Sequence, residues 1–112
     1  MERPNSNNSF WRQGDIYFVK IEEEIHSAMT TPVKNGIIAK GETTGHAHRV
    51  LASSMAQGAL LSLIGRSMFL RSPEAGATIV HDEHGPLALP AGSYAVVPQR
   101  EFDGLRWRQV LD

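Results

Sequence analysis

The chain has 112 residues, 41% of them hydrophobic and 21% charged, with a formal net charge of −1. That is enough for one domain with a core of its own, and it excludes the global positive field that draws proteins to nucleic acid or acidic membranes. Cysteine is absent, which removes disulfides, iron–sulfur clusters, thiolate metal centres and thiol nucleophiles.

Met1 to Ser9 is polar and has no apolar signal core, so it reads as a disordered tail preceding a single β domain over residues 10–112. Asp15 to Glu22 is rich in β-formers, with Ile16 and Phe18 on one side and Tyr17, Val19 and Ile21 on the other, which predicts a strand partly buried on both faces. Ile25 to Asn35 has no clean period and carries Thr31-Pro32, so a loop with at most one helical turn is expected there. After the turn signal Asn35-Gly36 come a short strand, Ile37 to Lys40, and a second one, His46 to Leu51.

Leu60 to Ile64 and Ser67 to Arg71 read as a hairpin around Gly65-Arg66, with a short helix within Ala52 to Leu63 as an alternative. The longest apolar stretch, Ala59 to Ile64, falls far short of the ~20 residues of a membrane span, and a cytoplasmic protein is expected. Gly76 to His81 is a further strand, and Leu87 to Leu89 leads through the turn Pro90-Ala91-Gly92 into Ser93 to Phe102. A final strand, Leu105 to Val110, follows Asp103-Gly104. The fold class predicted is all-β, a small antiparallel β-barrel or β-sandwich of about seven or eight short strands. Exposed strand edges make a homo-oligomer plausible.

Chemistry concentrates in the histidines, of which there are five. His46-Ala47-His48 places two imidazoles on one face of a strand, with Cα atoms about 6.6–6.8 Å apart, a spacing from which both reach one ion. His81-Asp82-Glu83-His84 offers a second set: His81 and Glu83 share a face if the strand continues, whereas a turn at Gly85-Pro86 lets His81 and His84 converge. The expected metal ligands are therefore His46, His48, His81 and His84, with Glu83 as the competitor of His84. The ion would be divalent, zinc or iron first, since imidazole with carboxylate suits several metals. Glu83 and Glu42 are the candidate general bases, and Glu42 reaches the site only through a bulge at Gly45.

Arg49 and Arg100 are the candidate substrate-binding cations, because a guanidinium forks onto carboxylate or phosphate; a strand-end ion pair with Glu101 or Asp103 is the plainer role for Arg100. Arg106 and Arg108 beside Trp107 could form a small strip for single-stranded nucleic acid, but the near-neutral charge weighs against nucleic acid as the main partner. His26 stands alone and reads as an ordinary polar residue.

The segments Gly41-Glu42-Thr43-Thr44-Gly45-His46-Ala47-His48, His81-Asp82-Glu83-His84 through Leu89-Pro90-Ala91-Gly92-Ser93-Tyr94, and Gln99-Arg100-Glu101-Phe102 together resemble a family of small uncharacterised bacterial and phage-borne proteins. Its members share GExTGHAH, HEEHxxIxLPxGxY and QREY segments. The resemblance spans roughly Arg12 to Asp112 and implies membership, not an activity. Asp82, Leu87 and Phe102 stand where that pattern has Glu, Ile and Tyr; if the terminal tyrosine hydroxyl were catalytic in relatives, Phe102 would have lost that role. A looser similarity is to cupins, whose metal is held by an HxH pair, a Glu and a later His. The pair is present at His46 and His48, but no carboxylate lies between Arg49 and Gly58 and no histidine follows the Pro90-Ala91-Gly92 turn.

The leading expectation is a metal-binding protein, an enzyme only if the site keeps an open position, then hydrolysing a small molecule or nucleotide. The alternatives are a non-enzymatic binding or structural module, phage-associated by the resemblance, whose histidines hold a structural ion or brace strand ends, and a metal-free histidine acid–base phosphodiesterase.

Overall fold

The computed structural model describes residues 10–23, 25, 27–40 and 47–99. Ten strands, one short α-helix and one turn of 3-10 helix are found among them. In chain order these are β1 (Phe10–Gln13), β2 (Ile16–Ile21), β3 (Thr31–Pro32), β4 (Ile37–Lys40), β5 (Ala47–Val50), α1 (Ala52–Ala56), β6 (Leu60–Ile64), β7 (Ser67–Ser72), β8 (Ala77–His81), β9 (His84–Leu89) and β10 (Gly92–Pro98). They form two antiparallel sheets, one ordered β1-β2-β10-β7-β6-β3 and the other β4-β5-β8-β9. Neither sheet closes on itself, so of the two expected architectures the sandwich-like one is adopted.

Alternation decides which side chains fill the space between the sheets. Ile16, Phe18, Leu61, Leu70, Ile79, Leu89 and Tyr94 form the main buried cluster, joined by Ile38 and Val50. Their odd-numbered and even-numbered neighbours point the other way: Val19, Phe69, Ala95 and Val97 make a second cluster with Tyr17, Ile21 and Ile25 against it. Both faces of β2 are thus occupied, as its sequence predicts. Tyr94 is fully buried, meets Trp11 edge to face at 5.5 Å, and donates its hydroxyl proton to the Pro90 carbonyl at 2.6 Å. Burial pushes its phenol pKa up to about 12.

Three local features differ from the sequence reading. First, Phe10–Gln13 is a strand, paired to β2 across the two-residue loop Gly14-Asp15, with Gln13 opposite Ile16. Gly14 has φ +59° while Asp15 keeps a negative φ, the demand of a hairpin loop that takes glycine first. Second, a single turn of 3-10 helix (Ser27–Met29) occupies the expected loop, but Thr31–Pro32 also pairs with β6. Third, the chain reverses at Asp82-Glu83, not at Gly85-Pro86, with His81 opposite His84. Pro86 then sits inside β9, which is tolerable because β9 is the last strand of its sheet and needs no partner for that position. The tail over residues 1–9, His26 and the strand expected at Leu105 to Val110 lie outside the described residues. None of the described helices is long and apolar enough to cross a membrane.

Candidate functional site: a histidine cluster between the sheets

His48, on β5, alternates with exposed Arg49 and shares the inner face with Val50, so its ring enters the interior and is 5% exposed. The β8–β9 hairpin brings His81 and His84 onto it. Ring centroids lie 4.3 Å apart for His48 and His81, 4.7 Å for His81 and His84, and 6.0 Å for His48 and His84, the last pair nearly parallel at 12°. Close approach of the His84 ring depends on Gly14: a Cβ there would stand 2.6 Å from His84 Nε2.

Two residues that the sequence reading passed over organise this cluster. Gln13, the inward residue at the end of β1, is 3% exposed. Its side-chain amide donates to the carbonyls of Ile79 at 3.0 Å and Gly85 at 2.8 Å. Both amide hydrogens are thereby used, so Gln13 Oε1 is an acceptor, and His48 Nδ1, 2.8 Å away, must be the donor. That assignment leaves the lone pair of neutral His48 on Nε2. Facing it at 3.2 Å is Oδ1 of Asp15, whose side chain is 76% exposed in the β1–β2 loop. The backbone N–H of Gln99 donates to the Asp15 carbonyl at 2.7 Å and steadies that loop.

The charge state of His48 follows from opposing influences. Burial lowers its pKa most, the neighbouring His81 lowers it further, and Asp15 raises it; the net direction is below the ordinary 6.5. Because the folded pKa is the lower one, the unfolded chain binds more protons as pH falls below about 6.5, and folding weakens there. In chelator, thermal stability is expected to be flat above pH 6.5 and to fall below it, and His48→Asn is expected to lessen that fall. An equally steep fall in the variant would assign the acid sensitivity elsewhere.

Of the other expected site residues, Glu83 is exposed in the hairpin loop, where its backbone N–H donates to His81 Nδ1 at 3.0 Å. Arg49 is exposed on the face of β5 opposite His48. His46, Glu42 and Arg100 lie outside the described residues. Among the described residues, no group of three or more histidines, aspartates or glutamates converges tightly enough to hold a metal ion. A pair does approach that spacing, His48 Nε2 and Asp15 Oδ1.

An all-β, two-sheet domain with an imidazole cluster where the sheets meet is the class that these features define. Within that class the chain belongs to the family described as a domain of unknown function (DUF8820), which matches residues 12–99. No curated protein and no solved structure matches it.

Proposed function

We propose that this protein binds a divalent cation, zinc or iron first, at His48 and Asp15, and that the ion serves hydrolysis of a small molecule or nucleotide. The observation that carries the reading is the face-to-face placement of two acceptors. Gln13 obliges His48 to turn its Nε2 lone pair towards the Asp15 carboxylate, and the pKa, lowered chiefly by burial, favours the unprotonated ring. Two lone pairs so opposed call for a cation. Donors bound about 2.0–2.1 Å from one tetrahedral ion lie roughly 3.3 Å apart, close to the 3.2 Å between these atoms. The carbonyl of Gln13 on the far ring nitrogen is the kind of support that metal-binding histidines receive.

His84 is exposed, and its ring centroid lies 6.0 Å from that of His48, which makes it the nearest described imidazole candidate besides His81. His46, two residues before His48 on the same strand face by sequence, is the other imidazole candidate. A divalent ion would supply Lewis acidity at this position. Exposure of Asp15 and His84 leaves one side of the cluster open to solvent, and Glu83, exposed in the same hairpin loop, is the proposed general base. A structural ion is the second reading, favoured by the fact that the cluster draws residues from both sheets.

Calorimetric titration of chelator-treated, tag-free protein with zinc is expected to give one site, and Asp15→Asn to weaken it at least tenfold, since an amide oxygen replaces a carboxylate. Equal affinity in the variant would remove Asp15 from the site. Unfolding of the chelated protein at ambient temperature would favour the structural reading.

A further inference from the structure

The two ends of β10 serve different parts of the molecule. At its far end Pro98 lies opposite Ile16, and the Gln99 N–H reaches the Asp15 carbonyl beside the histidine cluster. At its near end Ser93 pairs with Ile21 and with Arg71, and the strand opens onto a cleft. Six strand steps, roughly 20 Å, separate Gly92 from Pro98, so a small molecule in this cleft does not touch His48 or Asp15. The cleft has a volume of about 480 Å³ and is lined by Arg71 to Glu74, by Gly92 and Ser93, and by Gly58. Its size suits a small ligand. Of this lining Pro73 alone carries an apolar side chain, which is too little to hold an aromatic or aliphatic body. The Ser72 hydroxyl is spent on the Leu89 carbonyl at 3.1 Å. The Arg71 guanidinium, the Glu74 carboxylate and the Ser93 hydroxyl remain, and among the described residues none of the three has a hydrogen-bond or ion-pair partner.

Arg71 ends the regular part of β7, and Glu74 sits in the turn that follows, which is closed by the Gly76 N–H donating to the Pro73 carbonyl at 2.7 Å. Opposite charges that line one cleft without neutralising each other are selective. A simple anion attracted by Arg71 also meets Glu74, and a simple cation attracted by Glu74 also meets Arg71. Only a molecule that carries both signs gains at both. We propose that this cleft is a second binding site, for a small zwitterion with a carboxylate and a primary ammonium, the chemistry shared by a free α-amino acid and a dipeptide. The Arg71 guanidinium forks onto the carboxylate, and the Glu74 carboxylate accepts from the ammonium. The Ser93 hydroxyl, opposite Arg71 in the β7–β10 register, adds a bond to a ligand oxygen. The site stands independently of the cation-site reading.

The test titrates the full chain, in chelator, with L-alanine and with dialanine, followed by proton–nitrogen-15 amide spectra; acetate and methylammonium are the single-charge controls. Saturable shifts are expected at the amides of Arg71, Ser72, Glu74, Gly92 and Ser93, with a Kd below about 10 mM for at least one zwitterion. Acetate and methylammonium should each bind at least fivefold more weakly. The tighter of alanine and dialanine assigns the source of the ligand. Arg71→Gln and Glu74→Gln, both at exposed positions, should each weaken the zwitterion at least fivefold and leave zinc affinity within twofold. Asp15→Asn, which decides the cation-site reading, should leave zwitterion binding within twofold. A loss in that variant would place the ligand at the histidine cluster and overturn the second site. So would the absence of saturation by both zwitterions, acetate binding as tightly as they do, or wild-type affinity in the Arg71 and Glu74 variants.

Discussion

His48→Ala is expected to abolish zinc binding and to lower folding stability by about 2–4 kcal/mol even in chelator. Two losses add. Gln13 Oε1 is left buried without its donor, a cost of roughly 1–3 kcal/mol, and the vacated ring leaves space among His81, His84 and the strand interior that the surroundings fill only in part. For a domain of this size the midpoint should fall by on the order of 10–20 °C. His48→Asn separates the two effects, because its amide nitrogen stands near the place of Nδ1 and can still donate to Gln13. It should recover about half of the lost stability and none of the zinc affinity. Urea unfolding in chelator measures the first and calorimetry the second. An alanine variant as stable as wild type would mean that the Gln13–His48 bond contributes nothing.

The other large effect lies in the core. Phe18→Ala should cost about 3–5 kcal/mol, a large share of the 5–15 kcal/mol typical of a whole domain. Phe18 is fully buried at the middle of β2, opposite Trp11 on one side and Val96 on the other, where the central strands of the larger sheet meet the smaller one. Its ring is completely excluded from solvent. Val19→Ala, one residue on but facing the smaller second cluster, should cost clearly less. Equal losses at the two positions would contradict the assignment of the main core to the space between the sheets. Because Asp15 and Gln13 hang on the β1–β2 hairpin, partial unfolding of Phe18→Ala should also reduce the zinc-competent fraction.

Much of this fold could be read from local pattern. The alternation of Ile16, Phe18 against Tyr17, Val19 predicted a strand buried on both faces, and Gly65-Arg66 marked the β6–β7 hairpin where it occurs. The pairing of His48 with His81 and His84 was also in reach, because strand alternation and a nearby reversal bring those rings together. What escaped the sequence reading was set by distance along the chain. Gln13 acts on partners 35, 66 and 72 residues away, and nothing in its own neighbourhood distinguishes it from an exposed glutamine. Asp15 carried one usable signal: Gly14-Asp15 between apolar runs is a hairpin loop sequence, and a carboxylate at such a tip is placed to reach across. Gly85-Pro86 misled because proline usually ends a strand, whereas an edge strand accommodates it.

The central claim is that His48 offers its Nε2 lone pair, beside Asp15, to a divalent cation. Long-range proton–nitrogen-15 spectra of the histidine rings, recorded on metal-free protein and again after one equivalent of zinc, test it most directly. The predicted result is His48 protonated on Nδ1 throughout, with its Nε2 resonance moving from free lone pair to metal-bound position at stoichiometric zinc. A proton on Nε2 in the metal-free protein at neutral pH, or a His48 spectrum indifferent to zinc, would contradict it.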